Sequence, residues 1–302
     1  MTGRAMGWAL LWAIFWLLPA AQRPTRAEDS PRQSPRYTLR YRFHPGQTLR
    51  WKVVHRARIK TTIGGTTQTA ETVSQSVKVW RVKEVDSQGA ATFDHLVESV
   101  DMRQQVSGRQ EVRYNSQTDE APPPGFERIA QSVGVPVTTF TLTPQGEILR
   151  RTPHSVAAAA APEQHGLITI PLPEKPVAVG ESWSLPFQID VPLQDGTIKK
   201  VKTSQKFTLA EVDAGVARID VANQILTPVR DPAVEAQLIQ RVFTGTVRFD
   251  IEAGRVIGQQ MDVDKVVVGF QGETSSLHYL SRFTEDFLGE EPQTASRPTR
   301  SE

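Results

Sequence analysis

Glu84-Val85-Asp86-Ser87-Gln88-Gly89-Ala90-Ala91-Thr92-Phe93-Asp94 is matched later in the chain by Glu211-Val212-Asp213-Ala214-Gly215-Val216-Ala217-Arg218-Ile219-Asp220. Each stretch carries Glu-Val-Asp, then a Gly, then a short alternating run. The acids suit a strand end, because an Asp before a Gly turn can accept hydrogen bonds from backbone N–H groups two residues on. A repeat of this kind speaks first about architecture, and only then about chemistry.

The flanks extend the repeat. Upstream lie Gly46-Gln47 with Trp51, and Gly180-Glu181 with Trp183. Each opens an alternating segment: Leu49, Trp51, Val53, Ala57 and Ile59 in the first, Trp183, Leu185, Phe187, Ile189, Val191 and Leu193 in the second. Period 2 gives one buried and one wet face, the pattern of a half-buried strand. Gly64-Gly65 and Asp195-Gly196 end these segments with hairpin signals. Downstream, residues 125–133 and 231–242 read as short helices, the second with Asp231 as N-cap and Pro232 at the first helical position. Ile129 and Val133 precede Phe140 by 11 and 7 residues, and Leu238 and Val242 precede Phe249 by the same intervals. The turns Thr143-Pro144-Gln145-Gly146 and Glu252-Ala253-Gly254 follow. Only the first copy has the hairpin-like stretch 106–114 and Pro122-Pro123-Pro124.

The fold class expected is mainly β, a β-rich α+β fold. It comprises two tandem copies of a curved antiparallel sheet, each with a short helix on its concave face. One sheet or half-barrel spanning both copies is the alternative. The expected core includes Leu49, Trp51, Val53, Ile59, Phe93, Ile129, Phe140, Trp183, Phe187, Ile219, Leu238 and Phe249.

Residues 1–27 read as a secretory signal peptide, with Arg4, the apolar run 8–18 and small residues at Pro19-Ala20-Ala21. The run is shorter than the roughly 17 residues a helix needs to span a bilayer. An uncleaved anchor is the alternative. Residues 28–36 read as a linker, 37–153 as the first copy and 154–166 as an Ala/Pro joint. Residues 167–288 read as the second copy and 289–302 as a disordered tail. The expected location is the periplasm or cell envelope. With no Cys, stability must come from the core.

The net charge of +2 hides an asymmetry: residues 31–83 carry twelve Lys and Arg against one acid, Glu71. The cations alternate. Arg50, Lys52, Arg56, Arg58 and Lys60 fall opposite the apolar face, and Arg40 and Arg42 alternate with Tyr37, Leu39, Tyr41 and Phe43. Two adjacent strands would then present about seven cations to an anionic surface, a lipid, an envelope polymer or an envelope protein. The plainer reading is a solvated outer face, or pairing with the acidic remainder of the chain. Nucleic acid is not expected, since an exported location argues against it and no aromatic residues are interleaved on the basic face for base stacking.

No catalytic constellation is legible. The chain has no Gly-x-Ser-x-Gly, no His-Glu-x-x-His and no phosphate or dinucleotide loop. The six His are scattered; His95 is the one an enzyme reading would need beside a carboxylate. Glu84/Asp86, Glu211/Asp213 and Asp262/Asp264 each share a strand face. No loop supplies the further oxygens a calcium ion wants. No catalytic residue, cofactor or metal ligand is assigned.

Four stretches resemble an uncharacterised family of secreted bacterial proteins, a domain of unknown function. They are Leu39-Arg40-Tyr41-Arg42-Phe43-His44-Pro45-Gly46, Val77-Lys78-Val79-Trp80-Arg81-Val82-Lys83-Glu84-Val85-Asp86, Val112-Arg113-Tyr114-Asn115-Ser116 with Pro123-Pro124-Gly125-Phe126, and Leu172-Pro173-Glu174-Lys175-Pro176-Val177-Ala178-Val179-Gly180-Glu181-Ser182-Trp183. The resemblance implies no catalytic residues. The repeat is also similar in architecture to the curved sheets of periplasmic lipoprotein carriers. The function expected is a secreted, non-catalytic envelope protein. It would bind an apolar or amphipathic ligand, or a partner protein, in the sheet's concavity. A purely structural scaffold and, more remotely, an envelope hydrolase are the alternatives. Membrane contact would be peripheral at most if the signal is cleaved.

Overall fold

The alternating segments of the first copy form β2 (Thr48–Ile63), β3 (Thr66–Val85) and β4 (Ala91–Val106) of a computed structural model that describes residues 34–155 and 169–291. The copy continues through β5 (Val112–Asn115), α1 (Glu127–Ser132), β6 (Pro136–Leu142) and β7 (Ile148–Pro153). The second copy repeats the order. It runs β9 (Ser182–Pro192), β10 (Ile198–Asp213), β11 (Val216–Ile225), α2 (Pro232–Leu238), β12 (Thr244–Asp250) and β13 (Arg255–Val268). It then adds β14 (Ser276–Glu291), for which the first copy has no counterpart. β1 (Arg36–Tyr37) pairs with β8 (Val177–Ala178) in a separate two-stranded ribbon. Of the two arrangements expected, the continuous one is present. A single antiparallel 12-stranded sheet runs β7-β6-β4-β3-β2-β14-β13-β12-β11-β10-β9, with β5 paired to β4. β14 joins the copies, lying between β2 and β13.

Backbone hydrogen bonds define the repeat more sharply than side chains do. Gly46 N donates to Val82 O (2.9 Å) and Val82 N to Gln47 O (2.9 Å); Gly180 N donates to Leu209 O (2.7 Å) and Leu209 N to Glu181 O (3.0 Å). Register breaks also coincide, at Val82/Glu84 and Leu209/Glu211, then at Thr141/Leu142 and Arg248/Phe249. This register corrects two equivalences suggested by residue type. Leu49, not Trp51, corresponds to Trp183, since Leu49 faces Trp80 as Trp183 faces Phe207. Leu142, not Phe140, corresponds to Phe249: Ala91 faces Leu142 and Ala217 faces Phe249. Each shift is two residues, one full pleat, so the apolar face is kept and the aromatic moves along it.

The sheet curls. β6 and β13 are five strand spacings apart, about 24 Å in a flat sheet. Yet Tyr41 N donates to Pro144 O (2.7 Å) beside β6, and the next residue, Arg42, donates through N to Gly254 O (3.0 Å) before β13. The segment 38–47 is therefore an internal strap across the base of the curl. Leu39, Tyr41 and Phe43 point into the core with 0, 3 and 6 % exposure. Residues 169–180 form a second strap. Tyr41 Oη donates to Ile170 O (3.2 Å) and accepts from Ile170 N (3.1 Å). The strap passes so close to both turns that a Cβ at Gly146 would lie 2.7 Å from the Tyr41 ring, and one at Gly254 would lie 2.7 Å from Arg42 N. Both glycines also have positive φ, 83° and 63°.

The core at this base draws on both copies: Leu49, Trp51, Trp80, Phe93 and Phe140 share one cluster with Phe207, Leu209, Ile219, Val247 and Phe249. Trp80 stacks on Phe93 with ring centroids 4.5 Å apart, a contact adding about 1 kcal/mol to the burial of the rings. Both helices lie on the concave side. α1 packs beside Val97, Val100, Met102 and Tyr114. α2 packs Val234 and Leu238 onto Val191 and Val201 of β9 and β10. Its N-cap is Asp231, which accepts from Ala233 N (2.9 Å), with Pro232 opening the helix. Seven of the twelve expected core residues are buried; Val53, Ile59, Ile129, Trp183 and Phe187 are half-buried. The signal-peptide reading, most of the joint and most of the tail fall outside the described residues.

Candidate functional site

Five of the seven predicted cations share one face. Arg50, Lys52, Arg56, Arg58 and Lys60 alternate along β2 on the convex side, opposite Leu49 and Trp51. Arg40 and Arg42 are not with them, which corrects the expected second strand. The register of residues 38–43 is spent on the strap, where apolar side chains outrank strand pairing. Arg40 donates to the carbonyls of Leu39, Pro173 and Glu174, and Arg42 Nη1 to Glu252 O (2.8 Å). On β2 itself, Arg50 pairs with Glu98 (3.1 Å) and Glu291 (3.2 Å), and Arg58 with Glu71 (3.0 Å). Arg56 faces Arg282, whose guanidinium is held by Asp262 at 2.6 Å. Lys52, Arg56 and Lys60 have no ion pair among the described residues and stay exposed. The face is thus partly neutralised by later strands, and three cations remain open on it.

At the floor of the concavity lies a buried polar cluster that residue patterns did not suggest. Lys78 Nζ contacts Glu285 Oε1 at 2.6 Å and sits over the rings of Trp51 (4.5 Å) and Trp80 (4.7 Å). Burial pushes the Lys78 ammonium down in pKa, opposed by Glu285. His95 is beside it. Burial, with Lys78 nearby, pushes its imidazole down to about 3, so it is neutral at physiological pH, and its Nδ1 has no partner among the described residues. It is buried and packs edge-on to Phe140. The enclosed space by this cluster, between Tyr41, Trp51, Trp80, Arg255 and Glu285, is about 10 Å³, room for a single water. The base of the concavity is full.

Away from the base the same face opens. Leu49 and Trp51 are 0 and 1 % exposed, whereas Val53, Ala57 and Ile59 further along β2 are half-exposed. Phe283 of β14, opposite His55, and Leu185 and Phe187 of β9 are likewise half-buried. His55 Nε2 meets Ser281 Oγ at 2.9 Å. Ala57 and Ile59 pack against the cluster of Ile239, Val263 and Tyr279, and Leu185 and Phe283 against the shared core.

A larger hollow than the one at the base lies elsewhere, on the convex face of the first copy. A half-open groove of about 590 Å³ is lined by Glu84, Val85, Asp86 and Ala90 at the Glu-Val-Asp hairpin. Thr92, Thr139, Thr141, Arg150 and Thr152 line it on β4, β6 and β7. Asp86 acts as the turn chemistry requires, accepting from Gln88 N (2.8 Å) and Ala90 N (2.9 Å) through Oδ1. Thr139 Oγ1 donates to Asp94 (2.6 Å) and meets His154 Nε2 (2.7 Å). Burial works against the Asp94 carboxylate, but Lys83 and Thr139 outweigh it and hold its pKa below the usual value. His154, expected in the joint, is anchored through its N–H to Val137 O (3.0 Å). Among the described residues, no three His, Asp or Glu side chains converge as a metal site, and no helix is long and apolar enough to cross a membrane.

No family model matches the chain, and no curated protein does. Among solved structures, a lipovitellin structure concerned with lipid–protein interactions aligns with 86 % of this chain at 12 % identity and a TM-score of 0.44. The alignment spans 26 % of the lipovitellin chain, about a quarter of its length. DynF from the dynemicin biosynthesis pathway of Micromonospora chersina aligns with 88 % of this chain and 92 % of its own, at 10 % identity and a TM-score of 0.19.

Proposed function

We propose that this protein is an exported, non-catalytic binding protein that holds an apolar or amphipathic ligand in the open part of the concave face, between α1 and α2. The observation behind this reading is the change in burial along a single strand face. The apolar row that is sealed at Leu49 and Trp51 is half-exposed at Val53, Ala57 and Ile59, with Phe283 on the neighbouring strand. A partly exposed apolar row on a concave face is the kind of surface that small apolar ligands occupy. Lys52, Arg56 and Lys60 on the opposite face would favour an anionic surface. The buried, neutral His95 supports a non-catalytic role. Native mass spectrometry and organic extraction of the purified protein should recover a bound amphiphile. A fluorescent fatty acid should bind and be weakened about tenfold by Phe283→Asp, a loss of roughly 1.4 kcal/mol. Empty extracts together with no probe binding would sink the reading.

A second reading, an envelope interaction scaffold without a small ligand, is favoured by the filled base, whose enclosed space holds one water at most. The same extraction separates the two, since a scaffold returns nothing.

A further inference from the structure

The two copies differ around the Glu-Val-Asp hairpins on their convex faces, and the difference points to a ligand. The register pairs each position of the groove with a counterpart in the second copy. Glu84, Thr92, Thr141 and Arg150 lie side by side on β3, β4, β6 and β7. Glu211, Arg218, Arg248 and Gly258 lie side by side on β10, β11, β12 and β13. Asp94 corresponds to Asp220, since each lies two residues beyond the previous pair on the same strand face. In the second copy this surface is filled. Arg218 occupies the place of Thr92 and pairs with Glu211 (3.3 Å) and Asp220 (2.7 Å). Arg248, in the place of Thr141, covers Gly258 so closely that a Cβ there would lie 2.4 Å from its Nη2. It also pairs with Asp286 at 3.3 Å. In the first copy the floor carries short hydroxyls instead, with Thr92 Oγ1 and Thr141 Oγ1 3.1 Å apart. The result is the groove of about 590 Å³.

Glu84 has thereby lost the guanidinium that its counterpart Glu211 keeps. It is exposed and without an ion pair among the described residues. Across the groove Arg150 is also exposed and without an ion pair among them. The two charges sit three strand spacings apart, about 14 Å between backbones, and both side chains line the groove with the threonines between them. A carboxylate on one wall, a guanidinium on the other and hydroxyls between them match a ligand with a cation at one end, a carboxylate at the other and polar atoms in the middle.

We propose that this groove binds a short zwitterion carrying a guanidinium or ammonium group, of amino-acid to dipeptide size. Its cation stands at Glu84 where Arg218 stands at Glu211, and its carboxylate is held by Arg150. The second copy satisfies the same surface with its own arginines and binds nothing there.

Calorimetric titration of the full chain with L-arginine and with Gly-Arg tests this. Saturable binding is expected. It should weaken about tenfold or more when a charge-assisted hydrogen bond is removed by Glu84→Gln or Arg150→Ala. Both residues are exposed, so neither change threatens the fold. Thr92→Arg should abolish binding outright, because it rebuilds the arrangement of the second copy. Its circular dichroism melt should match the parent, as the fold already accepts Arg218. Agmatine, which lacks the carboxylate, should bind about tenfold more weakly than arginine. No saturable binding of either probe at millimolar concentration, or binding that survives Thr92→Arg, overturns the assignment. Equal affinity for agmatine overturns the role given to Arg150.

Discussion

His95 shows how far one residue's chemistry depends on where the fold puts it. In sequence it is one of six scattered histidines, the one an enzyme reading would have needed. In the structure it is walled in beside Lys78, Trp80 and Phe140. The imidazole titrates near 6.5 in an unfolded chain and at about 3 in the fold. Above pH 6.5 both states are neutral there and the residue adds no pH dependence. As pH falls below 6.5 the unfolded chain takes up a proton that the native state refuses. Stability therefore drops by up to about 1.4 kcal/mol per pH unit until the pH nears the folded value. His95→Leu should remove this loss, along with a buried nitrogen that lacks a partner. Urea unfolding at pH 6 and pH 5 is expected to show the parent losing about 1 kcal/mol more than the variant over that interval. Equal losses would mean that the site admits the proton. The turn acids make the opposite case: the role of Asp86 was readable beforehand, because a turn cap depends on neighbours four residues away at most.

Among elements, β9 and β2 are counterparts with different fates. β2 accepts β14 along its free edge, whereas β9 ends the sheet. A bare edge of this length invites pairing with another chain. Lys52, which faces Asp286 of β14, corresponds by register to Pro186. Leu209 N donates to Glu181 O, and antiparallel ladders alternate hydrogen-bonded and open pairs. Pro186, opposite Ser204, therefore falls in an open pair, with its nitrogen turned to the free edge. Proline has no N–H to offer there, so it interrupts the edge as a template. Pro186→Val should leave the monomer fold intact and shift the protein toward dimers and larger species in sedimentation velocity. Unchanged sedimentation across a tenfold concentration range would refute the protective role. Strand existence at β9 was legible from its alternation, but its position at an edge was not, because strand order is a long-range property.

For the whole molecule, the decisive feature is that β14 closes the sheet between the copies and that one core uses side chains from both. Neither copy has a private base. The straps at 38–47 and 169–180 tie the turns of the two copies together through Tyr41, Arg42 and Ile170. Urea unfolding should accordingly be a single transition, with tryptophan fluorescence and far-ultraviolet circular dichroism superimposing. Two resolved transitions would show that the copies fold separately and would contradict the shared core. Residues 38–43 carry a related lesson. Their alternation is real, with Leu39, Tyr41 and Phe43 buried, but a strap inside a curled sheet and a strand beside β2 produce the same period. Only the carbonyls that accept from Tyr41 and Arg42 distinguish them.

By itself the sequence determined the β-rich class, the duplication, the strand faces, the helix positions and the Asp231 cap. All of these rest on local periodicity and on contacts within a few residues. Tertiary structure decided the rest: one sheet instead of two, the buried Lys78–Glu285 pair, the sealed base and the groove beside Glu-Val-Asp. Each depends on which strands become neighbours, and that follows from pairing in a curved sheet between residues from tens to more than two hundred positions apart. The same closure sets the two copies in register, so that a threonine in one and an arginine in the other leave one face open and the other filled.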